Sequence, residues 1–292
     1  MPLPTIAVIM TEELMNSRYP MSYVFGSTNI EQQRLLDQAR EFQQQAHWLL
    51  DRIGIQPGWR VIDVGCGPLG ILDALSQRVG ARGEVVGIEC VPRFAEVASA
   101  QIVRLGLTNV RVIQGDALTS GLDRNSFDFA HERLVMINRP NPETILSEMV
   151  ALVRDAGIVA VEEVDDASWL CYPSHPSWDI LVEIYHSTFR RHGGNVLFGG
   201  RLPEMLRSVG LEDVQCKVHV DIVQPHGSRR KHLLSLLDSL HDKVISLGLL
   251  AENELAMHKA ELELHLDDPN TLVIDKLLVQ SWGRKLSSRT PV

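Results

Sequence analysis

Arg60-Val-Ile-Asp-Val-Gly-Cys-Gly-Pro-Leu-Gly70 is the stretch that decides the fold. It opens as a short apolar run, Val61, Ile62 and Val64, interrupted by one acid, Asp63. It turns through Gly65 and Gly67 and passes into a helical pattern at Leu69-Gly-Ile-Leu-Asp-Ala-Leu75. A buried strand, a glycine turn and a helix make half of a βαβ unit. Gly65 and Gly67 reach backbone angles closed to other residues and present no Cβ to a ligand lying on the loop. The helix after them offers unpaired N–H groups at its start.

Gly65-x-Gly67-x-x-Gly70 fits the dinucleotide fingerprint literally. That leaves a nicotinamide-dependent oxidoreductase open, although no Tyr-x-x-x-Lys pair accompanies it. The downstream strands narrow the choice. Glu84-Val-Val-Gly-Ile-Glu89 ends in a carboxylate about 20 residues on, where such folds bind ribose hydroxyls. Val110-Arg-Val-Ile113 runs into Gln114-Gly-Asp-Ala117, and Phe127-Asp-Phe-Ala130 runs into His131-Glu132. Strand and helix patterns alternate from Leu69 to Val164, which argues for a parallel sheet with helices on both faces.

With these residues in place, the chain resembles the class I S-adenosylmethionine-dependent methyltransferases. The matching residues are Asp63-Val-Gly-Cys-Gly67, Glu89, Gly115-Asp-Ala117, Phe127-Asp128 and the strand Gly157-Ile-Val-Ala-Val-Glu-Glu163. The resemblance spans roughly Gly54 to Lys285. It implies a doubly wound, mostly parallel seven-stranded α/β sheet with an antiparallel last strand, N-terminal helices and a helical insertion between strands six and seven. The loop departs from the family's usual Gly-x-Gly-x-Gly: Leu69 holds the third glycine position and Gly70 follows one residue late.

The resemblance also assigns roles. S-adenosyl-L-methionine is the implied cofactor, with Glu89 on the ribose and the loop carbonyls near Gly65 and Gly67 on the amino-acid group. Asp63 would orient that loop, and a strand acid with no duty would cost desolvation free energy. Asp116 beside Ala117 would meet the adenine, and Cys66 and Cys90 would lie along the cofactor. His131, at the end of the fourth strand, is expected beside the methyl group as a base or substrate contact. Tyr23 would touch cofactor and substrate from an N-terminal lid, with Phe25 beside it. Glu163, Asp165, Trp169 and Tyr185 are expected to line the substrate pocket. No metal is expected.

The chain has 292 residues, 45% hydrophobic, with a net charge of −9. That suits one large domain with a helical addition and disfavours a nucleic-acid partner, which wants a basic surface. The one basic triplet, Arg229-Arg-Lys231, reads as a cap or solvated helix start. Cys66, Cys90, Cys171 and Cys216 lack metal-ligand spacing and read as reduced thiols, in keeping with a cytoplasmic enzyme. Met1–Met10 has no basic start or cleavage site for a signal peptide, and no run suits a membrane span.

Taken in order, residues 1–53 read as a tail, with weak helical character at Thr11–Met15, and a helical lid. Residues 54–225 read as the cofactor-binding core and 226–270 as a helical insertion that covers the substrate or contacts a second copy in a homodimer. Residues 271–292 read as the last strand and a tail. Within this plan Asn29–Ile53 forms one or two helices capped by Ser27 or Thr28, Ala167–Trp178 is an aromatic loop, Val214–Val223 is strand six and Thr271–Trp282 is strand seven. The expected activity is methyl transfer to a small organic molecule, with secondary metabolism as its expected setting. A protein of the same fold using the cofactor for non-methyl chemistry is the further alternative.

Overall fold

A computed structural model describes residues 23–225 and 227–287. The tail expected over residues 1–22, with its helical stretch at Thr11–Met15, lies outside the described residues. Two helices, α1 (Asn29–Glu41) and α2 (Gln43–Ile53), precede β1 (Arg60–Val64). Helix and strand then alternate through α3 (Leu72–Val79), β2 (Glu84–Glu89), α4 (Pro92–Leu105), β3 (Val110–Gln114), β4 (Phe127–Arg133), α5 (Pro142–Leu152) and β5 (Val153–Asp165). Beyond them lie β6 (Leu170–Tyr172), α6 (Pro176–Arg191), α7 (Leu202–Ser208), β7 (Leu211–His219) and β8 (Ile222–Val223). The described chain closes with α8 (His232–Ser246), α9 (Glu252–Asp267), β9 (Leu272–Ile274) and β10 (Leu277–Lys285).

The main sheet runs β3-β2-β1-β4-β5-β10-β7. The pairs from β3 to β5 are parallel, and β10 is antiparallel to both β5 and β7. This is the seven-stranded, mostly parallel sheet with an antiparallel last strand that the sequence implied. β1 stands next to the centre, and Val61, Ile62, Asp63 and Val64 are all buried. Such all-round burial is why this strand reads as a continuous apolar run rather than an alternating one. The carboxyl ends of β1, β2, β4 and β5 therefore gather at one rim, where open α/β sheets bind ligands.

Four expectations need correction. Strand six begins at Leu211 and divides, with β7 in the main sheet and β8 in a separate three-stranded sheet ordered β6-β9-β8. Strand seven divides too: β9 joins the small sheet and β10 the large one. The break is at Asp275 and Lys276. Both are buried, and both are held by ions distant in sequence, with Arg229 Nη2 2.7 Å from Asp275 Oδ2 and Lys276 Nζ 3.3 Å from Asp166 Oδ1. The stretch expected to be an aromatic loop contains β6 and the start of α6. Finally, α3 starts at Leu72, because Pro68–Ile71 forms a turn around the late glycine.

The N-terminal helices divide their work. Thr28 caps α1 by accepting a hydrogen bond from the Glu31 N–H at 3.2 Å. α2 buries Leu49 and Leu50 against the sheet, whereas α1 buries Glu31 and Arg34. A helix that buries an ion pair instead of aliphatic side chains is facing a polar site, not only the core.

Candidate functional site

The glycine bend after β1 is shaped by tight approaches. Gly65 has φ +70°, and a Cβ there would come within 2.4 Å of Val135 Cγ2. Gly70 has φ +53°, and its Cβ would meet Asp63 Oδ2 and the Cys66 carbonyl oxygen, each at 2.7 Å. The displaced third glycine thus does the work of close packing one residue later, with Asp63 pressed against it. Gly67 also has positive φ, but a Cβ there would meet nothing within 4 Å. It faces open space.

Glu89 locks the bend to the end of β2. Its carboxylate accepts from the Gly67 N–H at 2.9 Å and from the Val91 N–H at 2.7 Å, and the residue is 6% exposed. Burial raises its pKa above the ordinary value, against the lowering effect of these backbone donors.

A cavity of about 1040 Å³, counting its open mouth, starts at this bend. At one end it is lined by Gly65, Gly67, Glu89, Cys90 and Val91. It continues past Tyr23, Phe25 and Arg34 to a far end formed by Tyr185, Phe189, Arg229, His232 and Lys276. A smaller cleft of about 390 Å³ adjoins it, shares Gly65, Gly67 and Arg133, and is bordered by Asp63, Cys66 and His131.

Of the residues expected at the site, the cavity brings together Tyr23, Phe25, Gly65, Gly67, Glu89, Cys90 and Tyr185. Asp63, Cys66 and His131 border the adjoining cleft instead. Asp116 and Ala117 are not on the wall: Asp116 Oδ1 accepts from the Leu118 N–H at 2.9 Å, and Ala117 is buried. Asp116 is near enough to bear on Cys90, whose thiol is pushed up to about 11 by burial first, then by Glu89, with a smaller push from Asp116.

Three expected substrate contacts have other duties. Glu163 is fully buried, and its Oε1 accepts from the Met136 N–H at 2.7 Å and the Ile137 N–H at 3.2 Å. Asp165 accepts from the Ala167 and Gly200 N–H groups, each at 3.1 Å, and so pins the segment after β5. Trp169 packs behind Tyr185, with ring centroids 5.9 Å apart, and does not reach the cavity. Neighbouring backbone takes up both oxygens of Asp165 and one of Glu163.

His131 is the largest correction. Its Nδ1 lies 2.7 Å from Asp63 Oδ1 and its Nε2 lies 2.7 Å from Glu162 Oε1, all three residues being buried. Burial alone would lower its pKa, but the two carboxylates outweigh that and hold it at about 9. At neutral pH the ring is an imidazolium with both N–H groups donated. It has no lone pair to offer, so the geometry does not carry the expected role as base. Glu162 passes the link onward, since its Oε2 accepts from Gln280 Nε2 at 2.7 Å. The chain Asp63–His131–Glu162–Gln280 spans β1, β4, β5 and β10 beneath the bend.

Several residues at the cavity escaped sequence reasoning. Arg34 forms a bidentate pair with Glu31 (Nε to Oε2 2.7 Å, Nη2 to Oε1 2.6 Å), and the Tyr23 hydroxyl donates to the same Glu31 at 2.8 Å. Of the basic triplet, only Lys231, at the N-cap of α8, fits a solvated helix start. Arg229 lines the cavity, and Arg230 is buried with its guanidinium on the carbonyls of Leu266, Asp268 and Thr271. Lys276 is buried, with Nζ 3.1 Å from the Tyr185 hydroxyl and 4.0 Å from the centre of the Trp169 ring. The triplet was a usable signal, but nothing local distinguishes a buried arginine from a solvated one.

S-adenosylmethionine suits these residues. Gly67 leaves unfilled space over the bend, and Glu89 sets a buried carboxylate at the cavity edge. Among the described residues no group of three or more His, Cys, Asp or Glu side chains is arranged to hold a metal, and no helix is long and apolar enough to cross a membrane.

Comparison with known proteins agrees with the geometry. Residues 55–193 match the family described as "Methyltransferase domain". The chain is 28% identical over 200 residues to a demethylmenaquinone methyltransferase of Geobacillus kaustophilus, covering 60% of this chain and 82% of that protein. It is 30% identical over 152 residues to one from Geobacillus sp., covering 51% and 61%. Among solved structures, it overlays the YcgJ protein of Bacillus subtilis with a TM-score of 0.54 at 16% identity, covering 84% of this chain and all of that one. It also overlays phosphoethanolamine N-methyltransferase 2 of Haemonchus contortus with a TM-score of 0.53 at 18% identity, covering 84% of this chain and about half, 53%, of that one. These structural likenesses bear on fold, whereas the matched domain and the relatives bear on chemistry. Together they set aside the nicotinamide-dependent reading: residues 55–193, just under half of the chain, match a methyltransferase domain on a class I fold, and the cofactor these findings support is S-adenosylmethionine.

Proposed function

We propose that this enzyme methylates a small organic molecule enclosed between α1, the end of β5 and the helices of 226–270. The observation that carries the reading is the continuity of one cavity from Glu89 to Lys276. The Glu89 end has the backbone cradle and carboxylate that an adenosyl group needs. The other end has the aromatic and cationic side chains that a second, smaller molecule would meet. The cofactor supplies the activated methyl group. The protein's share is proximity and orientation.

In this reading residues 1–53 supply tail and lid, 54–225 the cofactor core, 226–270 the roof and 271–292 the closing strand and tail. Tyr23, Phe25 and Tyr185 face substrate or cofactor across the lid. Asp63, Gly65, Cys66 and Gly67 form and brace the amino-acid cradle, with Asp116 and Ala117 near the adenine. His131 braces the bend from below. The relatives named for demethylmenaquinone make that compound the first substrate to try, with phenolic secondary metabolites next.

The test has two parts. Calorimetry should show binding of S-adenosylhomocysteine and none of a nicotinamide dinucleotide. Methyl-labelled cofactor should then lose its label to demethylmenaquinone or to another small acceptor. Binding of the cofactor with no loss of label to any acceptor would favour non-methyl chemistry on the same fold.

A further inference from the structure

The far end of the cavity contains a histidine that no assigned step uses. His232, the first residue of α8, lines the wall with Tyr185, Phe189 and Leu236. No hydrogen bond to a described residue engages either of its ring nitrogens. Its surroundings are cations from three directions: Arg34 from α1, Arg229 from the turn before α8, and Lys276 from the β9–β10 link. The Trp169 ring closes the remaining side, with centroids 6.1 Å apart.

Each of these cations already has at least one counter-ion. Arg34 pairs with Glu31 and Lys276 with Asp166, while Arg229 pairs with Asp275 and has Asp221 and Glu41 within 4 Å as well. The end of the cavity therefore holds little spare positive charge for a dianion such as a phosphate. It does hold spare donors. Arg34 Nη1, Arg133 Nη1 and Arg229 Nε are buried with no hydrogen-bond partner among the described residues, and the Arg34 side chain is only 8% exposed. A buried donor without an acceptor is costly, and all three residues line the cavity. The Phe42 ring packs near two of them, its centre 5.6 Å from Arg133 Cζ and 5.1 Å from Arg229 Cζ. An apolar body carrying one oxygen of one negative charge satisfies this set.

We propose that His232 accepts the proton of an acidic hydroxyl, a phenol or an enol, on the substrate, and that Arg34 and Arg229 hold the oxyanion left behind. The O–H bond breaks, its electron pair stays on oxygen, and the proton goes to a free imidazole nitrogen. The oxygen, or a carbon conjugated to it, would then be the nucleophile for the methyl group that bound S-adenosylmethionine would supply, a ring carbon afterwards giving up its own proton to solvent. The substrate class is a hydroxyaromatic or enolisable molecule. This rests on the cavity being the cofactor-plus-substrate site.

Electrostatics suit the role. Burial first, then Lys276, Arg34 and Arg229, press the His232 pKa well below 6.5, so its lone pair is available at neutral pH. An oxyanion forming beside it offsets those cations and strengthens the base as the proton moves.

The probe is 4-nitrophenol, whose ionised form is visible by absorption. S-adenosylhomocysteine-loaded protein, at a pH below the probe's solution pKa, should bind it as the phenolate. His232→Asn should bind it as the neutral phenol, with an unchanged circular dichroism spectrum and unchanged S-adenosylhomocysteine affinity. A phenolate band retained in His232→Asn, or no binding of the probe by wild-type protein that binds S-adenosylhomocysteine, overturns the proposal. So does an Arg229→Leu variant that loses S-adenosylhomocysteine affinity but keeps the phenolate, because the arginines then serve the cofactor's carboxylate. Failure of S-adenosylhomocysteine to bind wild-type protein would instead remove the cofactor reading beneath it.

Discussion

Asp63 Oδ1 and His131 Nδ1 stand 2.7 Å apart across β1 and β4, below the glycine bend that Asp63 also touches at Gly70. The glycine bend is thus coupled to a buried imidazolium, and stability should depend on that charge. His131 titrates at about 9 in the fold and near 6.5 when free. The folded form holds its proton more tightly, so this stabilisation is complete below about pH 6.5 and is lost as pH rises through 9. Its size is on the order of 3 kcal/mol, and the lowered pKa of Glu162 belongs to the same contact and is not added again. Urea titrations should show wild type well above His131→Gln at pH 7 and a narrowing gap toward pH 10. A gap independent of pH would refute the assignment.

A second buried pair has the same sign over a lower range. Glu132 and Glu163 are both fully buried, and each keeps one oxygen without a backbone partner. Burial raises Glu132 to about 7, and burial together with Glu132 raises Glu163 well above the carboxylate range. The folded pair holds a proton that the unfolded chain has released, so stability falls from about pH 4.5 upward. Glu163→Gln keeps an acceptor for the Met136 N–H and removes the like charge. It should be more stable than wild type by about 1–3 kcal/mol at pH 9, with less advantage at pH 6. Denaturation midpoints at the two pH values decide the matter.

Gly70→Ala tests whether the displaced glycine is required. The added Cβ meets a backbone carbonyl and the Asp63 carboxylate at 2.7 Å, in a conformation side chains avoid. A strain of about 1–3 kcal/mol is expected, enough to shift the loop. S-adenosylhomocysteine affinity, measured by calorimetry, should fall roughly 5- to 100-fold. Affinity equal to wild type would mean that the bend tolerates the shift.

Glu89→Ala removes the acceptor for two backbone donors at the cavity edge. Hydrogen bonds to a charged group contribute about 1.5–3 kcal/mol each, so cofactor affinity should drop at least tenfold. Glu89→Gln, which keeps one acceptor, should fall between the two. A titration in which alanine binds as tightly as wild type would remove Glu89 from the site.

Much of the glycine-bend end of the cavity was legible in the chain. The bend at Gly65 and Gly67, the acids at 63 and 89 and the alternation of strand and helix are local patterns, set by backbone freedom and by apolar periodicity over a few residues. The substrate half was not. Arg34 looked like any polar residue of an amphipathic helix until Glu31 and Tyr23 closed around it. Glu163 and Asp165 occupied the expected strand end, but which donors they would meet depended on turns contributed by residues 136–138 and 200.

By itself the sequence determined that a parallel sheet with a glycine bend would gather carboxylates at one rim, because turn chemistry and strand burial are short-range. Only the tertiary structure decided what those groups do. His131 lost its role as a base because Asp63 and Glu162, 68 and 31 residues away, take both of its nitrogens. His232 kept its lone pair because burial first, and then Lys276, Arg34 and Arg229, disfavour its protonation. Charge pairing in a buried site is settled by distance in space, which a chain declares only once it has folded.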